Sequence, residues 1–209
     1  PPPAGRSAKI VVRLEKNIPA GGGLGGGSAN AASILRLLQR SLSALDDGAL
    51  LKAAAFTGAD VPFCLNGGAA LCEGTGEVIE KVSHNLRCSV LLVNNGTHVE
   101  TKWAYGAVDS VKCYAPIDAE SVRQKKKALT DLLAKGEIEK LGDLCSNDFE
   151  RPVFDAFPSV AELKAALIDG GSDFCIMTGS GSTVIGLFSD RRSADRTYTC
   201  FIDKGISAW

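Results

Sequence analysis

Pro19-Ala-Gly-Gly-Gly-Leu-Gly-Gly-Gly-Ser-Ala-Asn-Ala-Ala32 places six glycines in the seven positions from 21 to 27, with Ser28 directly after them. Glycine at that density sacrifices backbone entropy and side-chain packing. A chain accepts that loss where its backbone must come very close to another group. Consecutive N–H groups ahead of a helix cradle an anion, so the group implied is a phosphate. Upstream, Ile10-Val-Val-Arg-Leu14 is apolar and β-branched and predicts a strand. Downstream, Ala29 to Leu42 carries Ala32, Leu35, Leu38 and Leu42 at helical spacing. The glycines are therefore expected between a strand and a helix N-terminus, where unpaired N–H groups and the macrodipole both favour negative charge.

Gly21-x-Gly23-x-x-Gly26 also satisfies the dinucleotide-binding pattern, but in so glycine-rich a run the match carries little information. That pattern wants an acid at a second strand end about 20 residues on. Asp46 and Asp47 lie at that distance, in a helix–helix linker. A Walker loop needs lysine before its Ser or Thr, and no lysine precedes Ser28. A flexible linker fits poorly between Pro19 and a good helix. The reading that remains is a triphosphate loop in which Pro19, Ala20, Gly21, Gly22, Gly23, Leu24, Gly25, Gly26, Gly27, Ser28 and Ala29 bind ATP.

The 209 residues allow one large domain or two small ones, with 45% hydrophobic and 22% charged residues. A net charge of -1 supplies no electrostatic reason to expect nucleic acid or a membrane surface. No apolar run reaches the roughly 18 residues of a spanning helix. The seven cysteines are scattered and never spaced CxxC, which argues against zinc and against a disulfide framework. They read as small buried hydrophobes in a reducing compartment. Pro1 to Ala8 is neither a signal nor a transit peptide and reads as a linker, or as a chain beginning in mid-protein.

Further along, Asp46-Asp47 caps an expected helix through Phe56, and Gly58 breaks it. Asp60 follows among apolar neighbours, where it either caps a turn or does chemistry. Gly67-Gly68 marks a turn. Strands are expected at Ala69–Cys72, Val78–Val82 and Cys88–Val93, and a short helix at Thr101–Val108. Asp118 to Leu144 reads as a charged helix whose Lys125-Lys-Lys127 is a solvated face. A helix capped by Ser159 runs through Leu163 and Leu167. Strands at Asp173–Met177 and Thr183–Phe188 flank the turn Thr178-Gly-Ser-Gly-Ser182. A helix near Ala194 and a short strand near Phe201 close the chain. Strands and helices mix without strict βαβ alternation, an α+β pattern. The composition shift at Glu73 to Gly76 suggests domains of residues 1–74 and 75–209.

With these motifs in place, the chain resembles the GHMP kinases. Pro19 to Ala32 is similar to that family's ATP loop. Gly58-Ala-Asp-Val-Pro-Phe63 is similar to the block carrying its catalytic aspartate, and Met177-Thr-Gly-Ser-Gly-Ser-Thr183 to its second glycine motif. Asn147-Asp-Phe-Glu150 with Phe157-Pro158 matches a linking segment of one branch, which phosphorylates a cytidylyl-linked methylerythritol in non-mevalonate isoprenoid synthesis. The resemblance implies a two-domain fold: an incomplete N-terminal part like ribosomal protein S5 domain 2, and a ferredoxin-like C-terminal domain. It implies transfer of the ATP γ-phosphate to a tertiary 2-hydroxyl, with Asp60 accepting the hydroxyl proton. Ser28 would reach a phosphate or Mg²⁺, which neutralises triphosphate charge. Gly179, Ser180 and Gly181 would support the substrate, although a plain hairpin turn reads the same from sequence. Thr101 and Tyr105 fall near the substrate's cytidine end, where Tyr105 either stacks on the base or simply packs. His84 and His98 receive no role.

The resemblance also implies an earlier region bearing a catalytic lysine. Lys9 and Lys16 flank the first expected strand but lie outside that lysine motif. The chain is thus expected to be N-terminally truncated and nearly inactive alone. Two other readings stay open: a GHMP kinase for homoserine or a mevalonate derivative, and a nucleotide-binding module without catalysis. The partner expected is a small molecule, with no nucleic acid and no membrane. The setting is plastid stroma or bacterial cytoplasm.

Overall fold

A computed structural model describes residues 10–17, 21–42, 46–110 and 118–209. The expected ATP contacts Pro19 and Ala20, like Lys9 and Cys113, lie outside the described residues. The chain divides into two compact units. One holds residues 10–17 and Gly25–Val82; the other holds Gly21–Leu24 and Ser83–Trp209.

In the first unit, α1 (Gly26–Leu42), α2 (Asp47–Thr57) and α3 (Val61–Asn66) precede a hairpin of β1 (Ala69–Glu73) and β2 (Val78–Val82). Its core is small: Ala32, Leu50, Ala54, Val61 and Leu65, with Leu35 and Cys64 against it. Ala32 and Ala54 let the helices approach closely, and Arg36 closes the gap between α1 and α3 by donating to the Leu65 carbonyl. The expected Asp46 cap is present: its carboxylate accepts the Ala49 N–H at 2.7 Å.

The strand expected at Ile10–Leu14 does not form. Residues 10–17 carry no regular structure, and Ile10, Val11, Val12 and Leu14 are all more than half exposed. β-branched side chains favour a strand only where a neighbour supplies a ladder and a surface to pack on. Among the described residues no strand pairs with Ile10–Leu14. The glycine run also differs from expectation at its end. Gly26, Gly27 and Ser28 are the first turn of α1 rather than loop.

The second unit is built on β3 (Ser89–Asn94), β4 (Phe174–Met177), β5 (Val184–Phe188) and β6 (Ser207–Ala208), in the sheet order β4-β5-β3-β6. Every neighbouring pair is antiparallel. Between β3 and β4 come α4 (Thr101–Ser110), α5 (Ala119–Lys135), a 3-10 turn (Ile138–Asp143), α6 (Glu150–Ala156) and α7 (Pro158–Asp169); α8 (Arg191–Asp203) links β5 to β6. Strand, crossover, hairpin, crossover, strand in that sheet order is the split βαβ arrangement expected of a ferredoxin-like domain.

Its core follows from periodicity. Val160, Leu163 and Leu167 on α7 and Ala194, Thr197 and Phe201 on α8 are buried at helical spacing. They cover Leu91, Val93, Val184 and Phe188 of the sheet. Each large apolar side chain so buried contributes about 1.5–3 kcal/mol.

Several boundaries move. The helix expected to run to Leu144 stops at Lys135, because Gly136 takes a left-handed cap (φ +76°). The expected Ser159 cap lies inside α7, which Pro158 opens at its first position. Phe201 belongs to α8, and the closing strand comes later, at Ser207–Ala208. α6 was not foreseen. The described cysteines are all free thiols; Cys72 and Cys200 are exposed, contrary to the buried reading, while Cys64, Cys88, Cys145 and Cys175 are partly covered.

Candidate active site

Among the described residues, four aspartates stand at helix N-caps, and they behave differently. Asp46, Asp118 and Asp190 have extended backbones, and each carboxylate accepts an N–H of its helix's first turn. Asp60, ahead of α3, accepts none. The cause is local. An N-cap carboxylate folds back only from an extended backbone, and Asp60 is helical (φ −85°, ψ −10°). Pro62, two residues on, has no N–H to offer. Asp60 is exposed, and among the described residues no cation pairs with it. Cys64 lies one turn along; burial first, then the Asp60 charge, pushes its thiol above the ordinary range. The result is a solvent-facing carboxylate with unspent acceptor capacity.

α1 is open in the complementary sense. Its first intrahelical bond runs from the Ala29 N–H to the Gly25 carbonyl at 2.9 Å. The N–H groups of Gly26, Gly27 and Ser28 therefore have no intrahelical partner. Gly25 has no side chain with which to cap them, and no acid lies in the first turn. Lys16 adds positive charge: a Cβ on Gly26 would sit 3.5 Å from its Nζ. The Ser28 hydroxyl, half-buried in that turn, makes no hydrogen bond among the described residues.

The other half of the glycine run, Gly21–Leu24, packs in the second unit against the turn after β4. The Gly22 carbonyl accepts from the Thr183 N–H and from Thr178 Oγ1, both at 3.3 Å. Gly23 has φ +76°, and a Cβ there would overlap the Thr178 carbonyl oxygen. Only glycine fits. The His98 ring lies against Gly21, 3.7 Å from where a Cβ would stand. Sequence offered no signal for that contact, since an isolated exposed histidine in a loop carries no pattern.

The expected substrate residues converge within this unit. Thr101 opens α4, and its hydroxyl is 3.1 Å from the Ser180 hydroxyl. Tyr105, one turn later, lies on the same helix face. It is 59% exposed and meets the Phe149 ring edge-on, centroids 4.9 Å apart. Its ring is thus held by packing while the side chain stays accessible. Gly179, Ser180 and Gly181 form the turn beneath. Among the described residues, no three His, Cys, Asp or Glu side chains cluster to hold a metal ion.

Comparison with known proteins places this architecture. The families described as "GHMP kinases N terminal domain" and "GHMP kinases C terminal" match residues 4–68 and 129–206. The chain belongs to the GHMP kinases. Within them, it is 39% identical over 196 residues to 4-diphosphocytidyl-2-C-methyl-D-erythritol kinase of Prosthecochloris aestuarii, covering 92% of this chain and 66% of the relative. It is 36% identical to the enzyme of the same name from Chlorobium limicola, covering 97% and 69%. This chain thus spans about two thirds of the length of these relatives. A crystal structure of 4-(cytidine 5'-diphospho)-2C-methyl-D-erythritol kinase superposes with TM-score 0.72 at 32% identity, over 93% of this chain and 67% of that one. A homoserine kinase from Cytophaga hutchinsonii superposes as well, TM-score 0.74, at only 21% identity and over 93% and 66%. The fold is common to both, so identity, not shape, separates the branches.

Proposed function

We propose that the protein transfers the γ-phosphoryl group of ATP to the 2-hydroxyl of 4-diphosphocytidyl-2-C-methyl-D-erythritol, in isoprenoid-precursor synthesis. The observation that carries the reading is Asp60: a carboxylate at a helix cap that its own helix cannot use. In that state it is free to accept the proton of the attacking alcohol and to orient the oxygen for in-line attack. The uncapped first turn of α1, with the Gly21–Gly27 backbone and Lys16, supplies donors and positive charge for the phosphates. Thr101, Tyr105 and the Gly179–Gly181 turn hold the acceptor, with Tyr105 stacking on its base.

Mg²⁺ fits the donors present. Ser28 offers a hard hydroxyl oxygen without another hydrogen bond. Mg²⁺ takes few protein ligands beside phosphate oxygens and water. Bound there, the ion would neutralise charge on the transferring phosphoryl group. The relatives named above are bacterial, which favours bacterial cytoplasm over plastid stroma as the setting. No helix among the described residues is long and apolar enough to cross a membrane.

Homoserine and mevalonate derivatives are the competing acceptors. ADP formation with each of the three acceptors, measured side by side, tests the choice; turnover with homoserine alone would reject it. Asp60→Asn should lower kcat by about 10²–10⁴-fold. ATP affinity, measured by titration, should stay within about twofold, since a general base contributes nothing to ground-state nucleotide binding. Near-normal turnover by that variant would remove Asp60 from the chemistry.

A further inference from the structure

Asn147, Phe149 and Glu150 touch no reacting group in the reading above, yet they hold the parts that reading uses. The Asn147 amide donates both of its hydrogens, to the Met177 carbonyl at 2.7 Å and the Gly179 carbonyl at 2.8 Å. Its Oδ1 accepts the Phe149 N–H at 2.9 Å. Phe149 in turn supplies the ring on which Tyr105 rests. Glu150 accepts the Met177 N–H at 2.8 Å and is bridged to Lys164 at 2.7 Å. One short segment therefore grips the Gly179–Gly181 turn at one end and the Tyr105 ring at the other. Thr101, between them, bonds Ser180 directly.

We propose that Asn147 is a positioning residue which, through Phe149, sets the span between Tyr105 and the Gly179–Gly181 turn, and so selects an acceptor whose alcohol-bearing part is joined to a nucleobase through a diphosphate and a ribose. The inference rests on the proposed kinase reading and deepens it. The residue type is demanding. Two N–H donors and one acceptor in a single short side chain are found only in an amide. Aspartate keeps the acceptor for Phe149 but turns a second charged oxygen toward two carbonyls. Glutamine carries the amide one methylene further out and misses both.

Dissociation constants for two ligands test the span, because they need no turnover. One is 4-diphosphocytidyl-2-C-methyl-D-erythritol; the other is 2-C-methyl-D-erythritol 4-phosphate, which lacks the nucleotide. The expected result is that Asn147→Ala and Asn147→Asp weaken the long ligand at least tenfold and the short one less than twofold. Phe149→Leu should narrow the same ratio while leaving the turn intact. ATP affinity should stay within twofold in all three. Amide exchange at Gly179–Ser182 should quicken at least tenfold in the two Asn147 variants. A wild-type ratio in folded Asn147→Asp would overturn the proposal, even if exchange quickens, since Asn147 would then serve the fold alone. Wild-type protein that binds neither ligand would reject the acceptor reading itself, and the inference with it.

Discussion

The start of α1 and the turn from Thr178 to Thr183 are both glycine-rich, and they use glycine for opposite ends. At Gly25 and Gly27 an added Cβ would meet nothing within 4 Å. The space is open and the N–H groups of the first turn are unspent. At the turn the space is full. A Cβ on Gly179 would lie 3.2 Å from the Gly23 carbonyl, and one on Gly181 would lie 2.8 Å from Met177 Sδ. Its polar groups are spent inward: Thr178 and Gly181 close the turn at 2.9 Å. Buried Asn94 donates to Ser182 Oγ at 3.1 Å and to Thr183 Oγ1 at 3.0 Å, and Ser182 donates to the Thr97 carbonyl. Unspent donors are where a ligand gains; spent ones are where a scaffold holds. The same composition therefore leaves donors unspent in one place and makes a packed joint in the other.

The largest stability effect is expected at Gly23, which packs against the turn. Gly23→Ala forces a left-handed backbone onto alanine and drives Cβ into the Thr178 carbonyl. Strain of that kind costs about 1–3 kcal/mol, and the overlap adds to it. Gly27→Ala should act the other way. It sits in open space on a helix, where alanine is favoured by roughly 0.5–1 kcal/mol. Urea unfolding of the two variants breaks the comparison if they shift the midpoint in the same direction.

A smaller effect is expected at the ion pair behind the turn. Lys164 and Glu150 are only 25% and 17% exposed. Removing one partner of a fully buried pair costs about 3–5 kcal/mol, and the remaining exposure here reduces that to about 1–3. Glu150→Leu should cost more than Lys164→Met, since it also orphans the Met177 N–H. Equal losses would mean that the Met177 bond contributes nothing and the joint is held by Asn147 alone.

What the sequence disclosed follows the same division. The helices of the second unit were legible because α7 and α8 repeat apolar residues at helical spacing, and the Asp46 cap because capping is local chemistry. Ile10–Leu14 was misread because strand formation depends on a partner that no local pattern reveals. The glycine run announced itself by density. The family blocks pointed to Asp60, but only its backbone angles distinguish it from the three aspartates that cap. The roles of Asn147, Phe149 and His98 were out of reach. Each depends on contacts between residues dozens of positions apart, which one sequence does not encode in any local signal.

The finest probe of the packed side is Cys175, on β4 just before the turn. Its Sγ lies 3.8 Å from the Lys164 carbonyl. Burial, partly opposed by the Lys164 charge, pushes its thiol from 9.0 up to about 12. In the unfolded chain the thiol ionises near its ordinary value, while in the folded protein it stays protonated. Between about pH 9 and 12 the unfolded state therefore binds fewer protons than the folded one, and stability must fall as pH rises through that window. Cys175→Ala removes this one contribution. The difference in stability between wild type and Cys175→Ala should thus change in the variant's favour from pH 8 to pH 10.5, by at most about 2 kcal/mol. A flat difference for Cys175 would show that water reaches β4 behind the turn, and that the joint is looser than its hydrogen bonds imply.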